Sequence, residues 1–344
     1  MLEWLLEIGY FRGNVHVAAS GFRDFASFGR LELMEQILQQ HPTLADDDVY
    51  WLQQYWGEAQ ENACKCGNLK VLTWLIEHPI GRKQCEKVRT IRHIDRLLRL
   101  ASVEGHIDIV QYLHGQGAVD TNGTAVMGAI RRGHKDVVEF LMEPYSDVAQ
   151  MKGAWMVNEA VRAGQVKMLS LFQKFSSPAL AVPPLKCKRK QIGENQWWSD
   201  VGYCVNLAAM RGHLDVLEWF QMNRSLKASP GTMDDAAALG HLEIVKWLHS
   251  VRAEKCSSKA MDRAASAGHL VVVQWLPCNR SEGCTCDAMD SAAGHGHLEV
   301  VKWLHYNRTE GCTTAAMDKD IWRLYNGCIA IDTKDVPVRL LQMP

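Results

Sequence analysis

Cysteine and histidine are the residues of this chain whose types and spacing most readily suggest chemistry. Cys278, Cys284 and Cys286 lie close together, with His295 and His297 just beyond them. Zinc needs four such ligands in a tetrahedron, and a cysteine pair with two to four residues between its members commonly opens the site. Here the gaps are five residues and one residue, and neither fits. Cys64 and Cys66 repeat the one-residue gap without a second pair to complete the set. A second candidate is the column His106, His134, His213, His241, His269 and His297. One imidazole in each turn of a regular pattern gives no four-coordinate cluster, because successive units lie too far apart to share one ion. No metal or other cofactor is expected.

Three further groups offer binding chemistry. Lys186, Lys188, Arg189 and Lys190 form a basic run, suited to an acidic protein, a nucleic acid or an import receptor, with a solvated loop as the plainer reading. Trp197 and Trp198 follow it; adjacent tryptophans on a helix point apart, which leaves one available as an anchor. Arg224, Arg280 and Arg308 form a column, and Glu282 and Glu310 stand two residues after the last two. That pattern reads either as a solvated charge seam or as a contact strip for a charged partner. Asn223, Asn279 and Asn307 fit the glycosylation pattern but recur in step with everything else and are read as part of the repeat. Catalytic patterns are missing: there is no phosphate-cradling glycine loop, no His-Glu-x-x-His and no Gly-x-Ser-x-Gly. Asp234, Asp235 and Asp262 sit at repeating helix starts, where the helix dipole accounts for them. An enzyme is not expected.

The elements that carry these residues come from a repeat. Gly212-His213-Leu214, Gly240-His241-Leu242, Gly268-His269-Leu270 and Gly296-His297-Leu298 recur at one constant step, and Trp219, Trp247, Trp275 and Trp303 keep the same step. Each unit reads as two short helices. An alanine-rich first helix ends at glycine, which tolerates the left-handed conformation. A second helix then carries Leu, Val and Trp at helical spacing. A pair this small cannot bury its own apolar face, so equivalent pairs must stack and share a core. The tryptophan column, with Trp74 in an earlier copy, and the histidines His213, His241, His269 and His297 are expected to be structural parts of that stack.

Ala264-Ala265-Ser266-Ala267-Gly268-His269-Leu270 resembles the ankyrin repeat, and Ala288-Met289-Asp290 with Val300-Val301-Lys302-Trp303-Leu304-His305 is similar to a short, 28-residue variety found in oomycete proteins. The resemblance implies an all-α, ankyrin-like helical-hairpin solenoid of eight or nine pairs. Because the step from Gly240 to Gly268 is shorter than the usual ankyrin length of about 33 residues, the β-turn fingers are expected to be shortened or absent. It also implies a scaffold or adaptor that binds another protein through the concave helix face and the connecting loops. A regulatory subunit of an enzyme complex is one alternative, and nucleic-acid contact through residues 186–190 is another.

Outward from this block the pattern weakens but stays in frame, through Gly164, Gly133, Gly105, Gly67 and Gly29. The expected organisation is degenerate repeats over 1–175, an irregular basic and proline-containing loop over 176–202, regular repeats over 203–318 and a divergent cap and tail over 319–344. With 38 basic residues against 39 acidic and a net charge of −1, a general polyanion binder is disfavoured. The opening residues have no basic segment before an apolar core, and no run of eighteen apolar residues occurs. Neither secretion nor a membrane span is expected, and the chain is read as a cytoplasmic or nuclear protein, monomeric or part of a hetero-complex.

Overall fold

The computed structural model describes residues 15–41, 50–82, 91–120, 122–142, 146–175, 201–224, 229, 231–251 and 257–313. Among these residues there is no strand, and the helices form nine consecutive pairs. The chain divides into two compact units, Met1–Ser199 and Asp200–Pro344.

The N-terminal unit holds five pairs: α1 (Val15–Ser27) with α2 (Leu31–Gln40), α3 (Tyr50–Cys66) with α4 (Leu69–Glu77), α5 (Ile91–Glu104) with α6 (Ile107–Gly115), α7 (Thr124–Arg132) with α8 (Lys135–Met142), and α9 (Ser146–Arg162) with α10 (Val166–Phe175). The C-terminal unit holds four: α11 (Val201–Arg211) with α12 (Leu214–Asn223), α13 (Gly231–Ala238) with α14 (Leu242–Val251), α15 (Lys259–Ser266) with α16 (Leu270–Asn279), and α17 (Cys286–His295) with α18 (Leu298–Asn307). Within each unit the two helices of a pair pack on each other, and each first helix also packs on the first helix of the next pair. This is a helical-hairpin solenoid in each unit.

Small residues make the close approach possible. Ala236 and Ala237, Ala264 and Ala265, and Ala292 and Ala293 are all fully buried where successive first helices meet. Second helices supply the apolar bulk through a repeated triplet: Ile244, Val245 and Leu248; Val272, Val273 and Leu276; Val300, Val301 and Leu304. Each fully buried side chain of this size contributes about 1.5–3 kcal/mol. The tryptophans flank this core instead of forming its centre. Trp219 is 8 % exposed, whereas Trp74, Trp247, Trp275 and Trp303 are half-buried. Each stands one residue before the inward leucine, or before Phe220 in α12, and is therefore rotated to the edge of the buried arc.

Between the helices of a pair the chain turns through a glycine with positive φ, for example Gly268 at 80°. The amide of His269 then closes the first helix on the Ala264 carbonyl at 2.9 Å, satisfying a carbonyl the helix end would otherwise leave open. Pairs are joined by compact connections such as residues 280–285, which contain no strand. Among the described residues no helix is long and apolar enough to cross a membrane.

Candidate functional site

The histidine column forms a ladder between pairs. Nε2–H of His106 donates to the carbonyl of Lys65, and that of His134 to Val103, both at 3.0 Å. His241 reaches Met210 at 3.2 Å, and His269 is bonded to the Ala238 backbone. Each acceptor lies two residues before the glycine of the preceding pair. The imidazole therefore lies against that glycine, where a side chain would collide with it. A Cβ on Gly240 would come within 2.6 Å of His269 Nδ1, and one on Gly268 within 2.6 Å of His297 Nδ1. Where histidine is absent, amides take over. Asn68 Nδ2 donates to Ala26 and Ser27 at 2.8 and 2.9 Å, and Gln165 to Arg131 at 3.4 Å. His213 stands at the N-cap of α12. Burial holds the His269 imidazole below the usual histidine value, against its bond to Ala238, and His241 and His297 push in the same direction as burial.

A second ladder uses the aspartates. Asp234 accepts from the amide and hydroxyl of Ser257 at 3.0 and 2.5 Å. Asp262 does the same with Thr285 at 2.8 and 3.0 Å, and Asp290 with Thr313. Asn206 occupies this position one step earlier and bonds Ser229 and Thr232. Thr285 at the same time caps α17 by accepting from the Asp287 amide. These carboxylates therefore tie one pair to the start of the next, a role beyond the helix-dipole reading. Burial raises the pKa of Asp262, with its bonds from Thr285 acting in opposition.

The arginine column faces inward. Arg280 is 9 % exposed and pairs with Glu282, itself 18 % exposed, at 2.8 Å. Arg280 Nη1 also lies 3.2 Å from His249 Nδ1, and His249 meets the Trp275 ring edge-on at 5.4 Å. Arg308 pairs with Glu310 in the same way. A solvated seam would leave these guanidiniums in water; instead they brace the connections between pairs. Arg224 follows α12 as its C-cap residue. The asparagines Asn223, Asn279 and Asn307 each donate to the carbonyl of the tryptophan four residues earlier, at 2.9, 2.9 and 2.8 Å.

The metal question resolves onto a different set from the one the sequence suggests. Cys286, Asp287 and Asp290 bring potential ligand atoms within 4.8 Å of one another, but Asp290 already accepts both bonds from Thr313. Burial pushes the Cys284 thiol up to about 11, and it raises Cys312 too. Lys186, Lys188, Arg189, Lys190, Trp197 and Trp198 lie outside the described residues, as do the opening residues and the segment beyond 313.

What remains exposed on the first helices changes from pair to pair. One register position reads Tyr203, Gly231, Lys259 and Asp287 through the C-terminal unit; Tyr203 is 47 % exposed, Lys259 and Asp287 are exposed, and Gly231 is half-buried. A surface of this kind can be composed one helix at a time while the ladders beneath it stay constant.

Comparison with protein families places the same repeat in both units. A three-copy ankyrin model matches residues 61–152, and a model of many ankyrin copies matches residues 233–276 and 261–305. No curated protein matches the chain. With its glycine turns, stacked helix pairs and these matches, the chain carries ankyrin repeats.

Proposed function

We propose that this protein is a binding scaffold whose ligand is another protein, held on the exposed face of the first helices and on the adjoining connections. It acts by presenting a surface and not by catalysis. Ankyrin repeats generally mediate protein–protein interaction, and the short step of the regular block, with its compact connections, leaves the helices themselves to supply most of that surface. The observation that carries the reading is the contrast between constant and variable positions. Histidine–glycine and aspartate–hydroxyl rungs repeat with little change, while Tyr203, Gly231, Lys259 and Asp287 differ in size and charge at one equivalent position. Stacked pairs give an extended surface in which each pair contributes its own side chains.

The test is cross-linking in native cells followed by capture of the full chain. Cross-links should map to the first helices and connections. A variant combining Tyr203→Ser, Lys259→Glu and Asp287→Lys should lose the captured protein while keeping its unfolding midpoint. Undiminished capture by that folded variant would overturn the reading.

A further inference from the structure

The row of turns in the N-terminal unit carries charge of one predominant sign. Lys65 and Lys70 flank Gly67, Arg132 and Lys135 flank Gly133, and Lys167 follows Gly164; all five are exposed. The turns lie in register, because Gly67 lies against His106 of the next pair, Gly105 against His134, and Gly133 against Gln165. The basic side chains therefore share one edge of the unit. Arg132 pairs with Glu104 of the preceding turn at 4.0 Å, whereas Lys65, Lys70, Lys135 and Lys167 make no ion pair among the described residues. The corresponding second helices of the C-terminal unit are different. There Lys246 is neutralised by Glu243 at 2.9 Å and Lys302 by Glu299 at 2.8 Å.

From this edge we infer a docking strip for an acidic polypeptide segment, a proposal that rests on the protein-binding reading and assigns part of the partner's chemistry. Neighbouring helices in a stack lie about 8–10 Å apart, so the turns bearing Lys70 and Lys167, three pairs apart, are separated by roughly 25–30 Å. An extended peptide rises about 3.3 Å per residue, and eight or nine residues reach across. The middle of the row favours a peptide over a nucleic acid. Glu104 and exposed Asp108 flank Gly105, and Asp136 adjoins Lys135. An evenly charged phosphate backbone would have to cross those carboxylates, whereas a peptide can place an uncharged residue opposite them. Unpaired lysines in water also cost little desolvation when a carboxylate arrives, and their attraction is screened by salt.

The experiment is fluorescence anisotropy with the full-length chain and a fluorescein-labelled ten-residue peptide alternating glutamate and glycine. A ten-nucleotide thymidine single strand is the second probe. Binding of the peptide should weaken by about tenfold in Lys65→Glu/Lys70→Glu and again in Lys135→Glu/Lys167→Glu, the scale expected for two charge reversals at exposed sites. The corresponding glutamine variants should fall between, and all should keep the parental unfolding midpoint. Peptide binding that ignores the reversals, or tighter binding of the thymidine strand, would overturn the proposal. The Tyr203, Lys259 and Asp287 variant separates the two readings. If it loses native capture but still binds the acidic peptide, both stand. If it keeps native capture while the lysine reversals abolish peptide binding, the first-helix reading fails and the strip stands. Peptide binding insensitive to the reversals, alongside lost native capture in that variant, removes the strip alone.

Discussion

The two units build the same stack with different degrees of regularity. In the C-terminal unit the glycine turns Gly212, Gly240, Gly268 and Gly296 are evenly spaced, the rungs His241, His269 and His297 are all imidazoles, and first helices are 8–11 residues long. In the N-terminal unit the turns at Gly29, Gly67, Gly105, Gly133 and Gly164 are unevenly spaced, the rungs are Asn68, His106, His134 and Gln165, and α3 and α9 reach 17 residues. What survives in both is an N–H donor that reaches the carbonyl two residues before a glycine in the preceding pair. The identity of the donor and the length of the connections are negotiable, whereas the glycine is not.

The units also fill their margins differently, and substitution of that filling should have the largest effect. Trp56 on α3 is 1 % exposed, donates from Nε1 to the Leu75 carbonyl at 3.1 Å and stacks on Phe22 and Trp74 at 5.1 and 5.8 Å. Trp56→Ala should cost about 3–5 kcal/mol in urea unfolding. Trp247→Ala, at the half-buried margin of α14, should cost about 1 kcal/mol. Equal costs would show that the two margins are energetically alike and break the comparison.

A smaller effect isolates the rung. Gly268 (φ 80°) faces His297, whereas Gly117 (φ 90°) has nothing within 4 Å of an added Cβ. Alanine at Gly117 should cost only the left-handed backbone penalty, about 1–2 kcal/mol. Alanine at Gly268 should exceed that by about 1 kcal/mol, because His297 is displaced as well. His297→Ala should bring the two glycine sites to parity; a persistent gap would mean that the imidazole is not what the glycine accommodates.

The smallest effect concerns pH. Burial pushes the Glu282 carboxyl up, but its own backbone amide, Arg280 and Ser281 outweigh this and hold it below the ordinary 4.5. A lowered folded-state value means the stabilisation is in place above about 4.5 and is lost as the pH falls through the lower folded value. The stability difference between parent and Glu282→Gln should be constant from neutral pH down to that point, then shrink; one that grows on acidification would reverse the assignment. Because Arg280–Glu282 brackets a connection of the regular unit, this measurement reports on that unit alone.

Much of the fold is legible because it is written in repeated residues. A glycine that ends one helix and an aliphatic triplet that begins the next announce a helix pair wherever they occur, even where the step lengthens, as from Gly29 to Gly67. The direction of the bonds is not legible. His106 and His241 bind carbonyls 41 and 31 residues away, and a backbone carbonyl leaves no signature in the residue type that carries it. Sequence alone gives Asp262 to the helix dipole because its partner, Thr285, lies 23 residues on, in the next pair. Arg280 and Glu282 read as solvent-facing charges because spacing along the chain says nothing about which way a connection folds. The basic turn edge is hidden for a related reason: Lys70, Lys135 and Lys167 are far apart in sequence and come to share one edge only when the turns are stacked.

The interlock of glycine with the following histidine sets how such a chain can change length. Its two halves belong to adjacent copies, so a duplication or deletion cut at equivalent points, one whole copy at a time, always returns a bare backbone opposite a ring. An insertion that ends partway through a copy strands one half of that fit. Growth by tandem copying is therefore structurally silent at the seams, and the number of exposed helix surfaces can be revised while the packing rule between neighbours stays as it was.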